Sequence, residues 1–165
     1  MVPPLTVLDL CTRESLALVA DRSLTGVKVA AVLTAVLQRR RAPRAITVDN
    51  GSEFVSRAID AWAYAHDVRL DFIRPGKPVE NAFIERLNGK LRDECLNSHV
   101  FATVAEAQVV LDAWREDYGP HVSRMQSRTT GSNSRSQALQ SRFLCSGFRE
   151  QVSDDHTELR PQPCG

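Results

Sequence analysis

Apolar positions along the chain follow two rhythms. Leu5 to Leu10 and Glu14 to Ala20 ("ESLALVA") are short apolar runs separated only by "CTR". Runs that close together predict an antiparallel hairpin. Val29, Val32, Leu33, Val36 and Leu37 then recur at helical spacing, behind Ser23 or Thr25 as a cap. That helix is expected to end near Arg39, before Pro43. Ala45 to Val48 reads as a strand, and Phe54 to His66 as a helix carrying Val55, Ile59 and Trp62 on one side. Val68 to Ile73 is another strand, closed by "RPGKP". Pro78 opens a helix to about Leu96, with Phe83, Ile84, Leu87 and Leu91 as its apolar face. Thr103 and Glu106 form a capping box for a last helix ending near Tyr118.

Strands alternating with helices predict a mainly parallel sheet with helices on its faces. Past Tyr118 the pattern fades. "GPHVSRMQSRTTGSNSRSQALQSRF" is rich in Ser, Arg, Gln and Thr, and predicts a low-order tail over 119–165. The 165 residues suffice for one ordinary domain with a real core.

Composition removes several classes. No apolar run approaches the ~18 residues that span a bilayer. The opening "MVPPLTVLDL" meets Asp9 too early for a signal peptide, so the cytoplasm is the default expectation. Cys11, Cys95, Cys145 and Cys164 form no C-x-x-C pair, which argues against a zinc knuckle and for free, buried thiols. A net charge of +1 does not advertise nucleic acid, so any such surface must be a local patch.

Two carboxylates stand in informative places. Asp49 ends a strand at the carboxyl edge of the sheet, where α/β proteins place their sites. Glu85 lies in the helix after "RPGKPVENAF", with 35 residues between the two. Asn88 and Arg92 follow Glu85 at i+3 and i+7, on one helical face. A carboxylate, an amide and a guanidinium in line suit a metal ion and a phosphate backbone. Attack on a phosphodiester needs charge neutralised on the attacking and leaving oxygens, which two Mg²⁺ ions roughly 3.5–4 Å apart provide. Such a pair calls for three acids. Taken alone, however, a strand-end aspartate is more often a turn residue and a helical glutamate a solvated one.

The surrounding residues add a resemblance. "LTVLDLCTRESLAL", "ITVDNGSEFVSRAIDAWA" and "VRLDFIRPGKPVENAFIERLNGKLRDECL" resemble the retroviral-integrase-like (DDE-type) core of bacterial insertion-sequence transposases, over residues 5 to about 118. The Asp, 35 residues, Glu spacing is similar to that family's second and third catalytic carboxylates. The resemblance implies a ribonuclease-H-like fold, a mixed sheet flanked by helices. It also implies metal-dependent cleavage and transfer of DNA strands with two Mg²⁺ or Mn²⁺ ions. Its partners would be transposon ends, target DNA and further copies of the chain. Asp49 and Glu85 would be catalytic metal ligands, and Lys77, Arg74, Asn88 and Arg92 would lie near DNA.

Two departures accompany it. In the family a first carboxylate sits on a central strand preceding the segment like "LTVLDLCTRESLAL". The chain is expected to lack that strand, leaving inner edges of the strands at 5–10 and 45–48 unpaired. Asp9 is given no ligand role. After Tyr118 the match stops abruptly, as out-of-frame sequence would make it. Residues 1–118 therefore read as a partial catalytic core. Three readings of function stand: a transposase fragment, a catalytically inactive remnant that at most binds DNA or a partner, and another ribonuclease-H-like nuclease, which the "GKPVENAFIE" string disfavours.

The other conspicuous residues read structurally. Trp62 and Trp114 belong to apolar stripes, Glu53 to a helix first turn, and Arg39 to Arg41 to a helix end.

Overall fold

The structure, a computed structural model, describes residues 4–73, 82–126 and 142–147. The chain opens with strand β1 (Leu5–Asp9), a tight turn and strand β2 (Ser15–Val19), paired antiparallel. The Asp9 carboxylate accepts the backbone N–H groups of Cys11 and Thr12 at 2.7 and 3.2 Å, and Arg13 takes a positive φ of 58°. Asp9 is thus a turn residue. The same turn leaves Cys11 exposed, against the expectation of a buried thiol, whereas Cys95 and Cys145 are buried.

Helix α1 (Gly26–Leu37) starts at Thr25, whose hydroxyl accepts from the Lys28 N–H. It ends two residues short of Arg39, and Arg40 turns back to pair with Glu14. Strand β3 (Ala45–Val48) leads through a loop to helix α2 (Arg57–Ala65), capped by Ser56. Because α2 begins at Arg57, Val55 falls outside its apolar stripe and is 62% exposed. Strand β4 (Arg69–Phe72) follows, then helix α3 (Ala82–Leu91), which runs into a π-helical turn over Arg92–Leu96. The expected helix start at Pro78 lies outside the described residues.

Helix α4 (Val104–Gln126) opens on the anticipated Thr103 cap, with the Glu106 carboxylate reaching one residue further back than a capping box requires. Thr103 accepts from the Glu106 N–H at 3.1 Å, and the Glu106 carboxylate accepts from Ala102 N–H at 2.9 Å. The helix runs through Gly119 and Pro120, eight residues beyond Tyr118. Gln108 fastens it to the outer edge of β2, accepting from Ala20 N–H and donating to the Leu18 carbonyl. That contact covers part of an edge strand.

The sheet holds one feature that the sequence pattern did not predict. Strand β5 (Arg142–Gly147) lies inside it, in the order β2-β1-β5-β3-β4. It runs antiparallel to β1 and parallel to β3. The place expected to be empty, between the strands at 5–10 and 45–48, is thus filled by six residues of the expected low-order tail, and neither edge is unpaired. The physical reason lies in the residues "RFLCSG". Side chains alternate across a strand. Phe143 and Cys145 enter the core formed with α1 and α2, beside Leu5, Val7, Ile46 and Val48. Leu144 enters the opposite core with Leu8, Ile84 and Leu87. Each fully buried apolar side chain contributes about 1.5–3 kcal/mol, so a short segment suffices to hold a central position.

Three layers result. Helices α1 and α2 cover one face, joined by Trp62, whose indole N–H donates to the Thr34 hydroxyl at 2.9 Å. Helices α3 and α4 cover the other. Trp62 is buried as core, as its stripe predicted.

Candidate active site

Strand β3 ends at Val48, paired with Cys145 of β5. One step further, Asp49 stands beside Ser146. There β3 turns away, because "DNG" folds on itself. The Asp49 Oδ1 accepts the Gly51 N–H at 2.8 Å, and the Asn50 amide donates to the Ile73 carbonyl at 3.0 Å. The other oxygen, Oδ2, accepts from the Ser146 hydroxyl at 3.0 Å and the Gly147 N–H at 3.1 Å. Asp49 is half-buried. Its charge and, more strongly, burial push the Cys145 thiol well above its usual range, so that thiol is no nucleophile.

Glu53 does not sit in a helix first turn. Its carboxylate folds back over the backbone of Gly51 and Gly147, so close that a Cβ on either glycine would stand 2.6 or 2.3 Å from it. Glycine at both positions lets the carboxylate lie there.

The other half of the site is α3. Its buried stripe is Ile84, Leu87 and Leu91. Asn88 lies next to that stripe and accepts from the Thr6 hydroxyl at 2.9 Å. Thr6 and Ser146 are partners across the β1–β5 pair, so they share the face under α3. A row of polar groups therefore runs from Asp49 through Ser146 and Thr6 to Asn88. Glu85, one helical turn before Asn88, is exposed on the same flank, and Arg92, one turn after it, is half-buried. Arg74 and Lys77 lie outside the described residues. Asp9 pairs with Phe143, at the far end of β5 from Ser146, and stands apart from this row.

The residues singled out in the sequence lie as follows: Asp49 at the end of β3, Asn88 beside the buried stripe of α3, and Glu85 and Arg92 one turn either side of it. Sequence reasoning missed Thr6, Ser146 and Gly147, whose partners lie more than 80 positions away and leave no local signal.

The residues present can be weighed against a two-ion centre. A carboxylate has about four lone-pair positions, and three donors already approach that of Asp49. The neighbouring strand offers it the neutral hydroxyl of Ser146. Among the described residues, no three His, Cys, Asp or Glu side chains are grouped to hold a metal ion. Asp49 and Glu85 have the right oxygen chemistry for Mg²⁺, but among the described residues the acids grouped there fall short of the three that two ions call for.

The architecture is a mixed sheet with helices on both faces, a carboxylate at the end of β3 and α3 laid over the β1–β5 side. Two family models described as "Integrase core domain" match residues 2–78 and 66–122. The chain belongs to the integrase-core family of bacterial insertion-sequence transposases. It is 49% identical over 120 residues to an uncharacterized 31.7 kDa protein of insertion element IS407 from Burkholderia multivorans, covering 71% of this chain and 43% of that protein. It is 45% identical over 122 residues to an uncharacterized 39.2 kDa protein of insertion element IS476 from Xanthomonas euvesicatoria, covering 72% and 35%. The chain thus spans less than half the length of these relatives. Among solved structures, a chain of the simian T-cell lymphotropic virus intasome in complex with PP2A regulatory subunit B56 gamma aligns with a TM-score of 0.43 at 17% identity, over 64% of this chain and 39% of that one. No helix among the described residues is long and apolar enough to cross a membrane.

Proposed function

We propose that the chain serves DNA transposition as an integrase-core module that engages DNA and, as it stands, does not itself cut or join strands. The family membership and the two insertion-element relatives support the first half. The Ser146 to Asp49 hydrogen bond carries the second, because it occupies a carboxylate oxygen that a metal ion would need. In this reading transposon ends and target are the DNA, and Arg92, Asn88, Arg74 and Lys77 contact the backbone, which positions DNA without specifying its sequence. Divalent metal chemistry, with Asp49 and Glu85 as ligands, belongs to the family's complete site, and no step is assigned to it in this chain.

The test has two arms. Labelled transposon-end duplex should bind with an affinity that falls steeply as salt rises, the mark of phosphate contacts. Arg92→Ala should weaken binding and flatten the salt slope. With Mg²⁺ or Mn²⁺ no nicked or joined product should form. A product that Asp49→Asn abolishes would overturn the non-cleaving reading, and absence of DNA binding would overturn the module itself.

A further inference from the structure

We infer that the Asp49 carboxylate is the latch that docks the end of β5 in the sheet, a positioning role in place of cation binding. The ladder between β3 and β5 stops at Val48 and Cys145. Beyond it, β3 has turned off into "DNG" and offers β5 no further carbonyl. The Gly147 N–H would then face an empty edge in a mostly dry place, and the Ser146 hydroxyl would keep only the Gly147 carbonyl, 3.0 Å away. Buried donors without partners are costly. Asp49 Oδ2 accepts both, at 3.1 and 3.0 Å. At the opposite end of β5 the exposed Arg142 side chain reaches past β3 and donates to Asp71 of β4 at 2.7 Å. A carboxylate thus meets each end of this strand, through a side-chain ion pair at Arg142 and through buried donors at Ser146 and Gly147.

The latch and a cation exclude one another at Oδ2. Mg²⁺ binds oxygen at about 2.0–2.1 Å and requires the surrounding positions of its octahedron to be free for further oxygens. On the β5 side those positions hold donor hydrogens. Release of Ser146 and Gly147 would have to precede coordination there, and β5 would lose its end contacts.

The full chain tests this through hydrogen exchange and melting. Asp49→Ala and Ser146→Ala should each speed exchange of the Gly147 amide roughly tenfold to a hundredfold, while amides in α1 change little. The double substitution should do no more than Asp49→Ala alone, because Ser146 acts through Asp49. Should Asp49→Ala fail to fold, Asp49→Asn, which keeps one acceptor oxygen, gives a smaller effect in the same order. Millimolar Mg²⁺ or Mn²⁺ should leave the wild-type melting temperature unchanged. Unchanged Gly147 protection in these variants, or a metal-dependent rise in melting temperature that Asp49→Asn removes, would overturn the latch. DNA binding plays no part in these readouts, so the proposal and the DNA-binding module can fail separately.

Discussion

Two glycines beside the Asp49 loop show how differently a single methyl group can weigh. Gly26 opens α1 where it meets the cap of α2. A Cβ there would stand 1.9 Å from the Ser56 hydroxyl, 2.9 Å from Ser56 Cβ and 3.0 Å from the Glu53 carbonyl. The neighbour is a capping side chain, so moving it forfeits the cap as well. Alanine is intrinsically the better helix former by about 1 kcal/mol. The clash and the lost cap, at about 1–3 and about 1 kcal/mol, outweigh that gain. Gly26→Ala should therefore destabilise the fold by about 1–3 kcal/mol in chemical denaturation, with Ser56→Ala alone costing less. At Gly147 the obstacle is the end of the Glu53 side chain, which can swing into solvent. Gly147→Ala is expected to change stability much less. The reverse ranking of the two would show that the Glu53 carboxylate, rather than the Ser56 cap, is the rigid part of this loop.

Strand β5 concentrates the difference between what can be read locally and what cannot. The helices were legible because their apolar stripes repeat: Val29, Leu33 and Val36 in α1, and Ile84, Leu87 and Leu91 in α3, are all buried. Asp49 was legible because a strand and a turn signal meet there. "RFLCSG" has no such context. It is six residues long, it follows a polar stretch, and the partners of its Cys145, Val7 and Val48, lie 138 and 97 positions away. Short continuous apolar runs are ambiguous between buried strand and other uses, and only the gap between β1 and β3 decides. The element's energetic share is open to measurement. Leu144 is fully buried against Leu8, Ile84 and Leu87, so Leu144→Ala should cost about 2–5 kcal/mol. Val109→Ala, at an exposed position on α4, should stay within about 0.5 kcal/mol. If Leu144→Ala behaves like the surface control, β5 does not occupy the centre of the sheet between β1 and β3.

At the scale of the whole molecule, the sheet joins three separated stretches of chain, and charge stitches them across strands. Asp71 in β4 accepts from Arg69 at 2.8 Å and from Arg142 of β5 at 2.7 Å, so it reaches past β3. The hydrogen bond from Arg69 lowers the Asp71 pKa below its ordinary value of 3.8, and Arg142 adds to the effect. A carboxyl whose pKa is depressed by folding stabilises the folded state at any pH above the unfolded value. That contribution is lost as pH falls through the folded value. The loss should therefore fall below about pH 4, and neutral pH should keep the full contribution. Both arginines are well exposed, so solvent screening keeps the size under about 1 kcal/mol. The comparison that isolates it sets wild type against Asp71→Asn. Denaturation midpoints at pH 7 should favour wild type, and the two should converge as pH falls through the depressed folded value, the other carboxyls titrating alike in both chains. High salt should shrink the gap at pH 7, as it does for exposed pairs. A gap that persists unchanged at low pH would assign the contribution of Asp71 to packing rather than charge, and would remove the electrostatic tie between β4 and the start of β5.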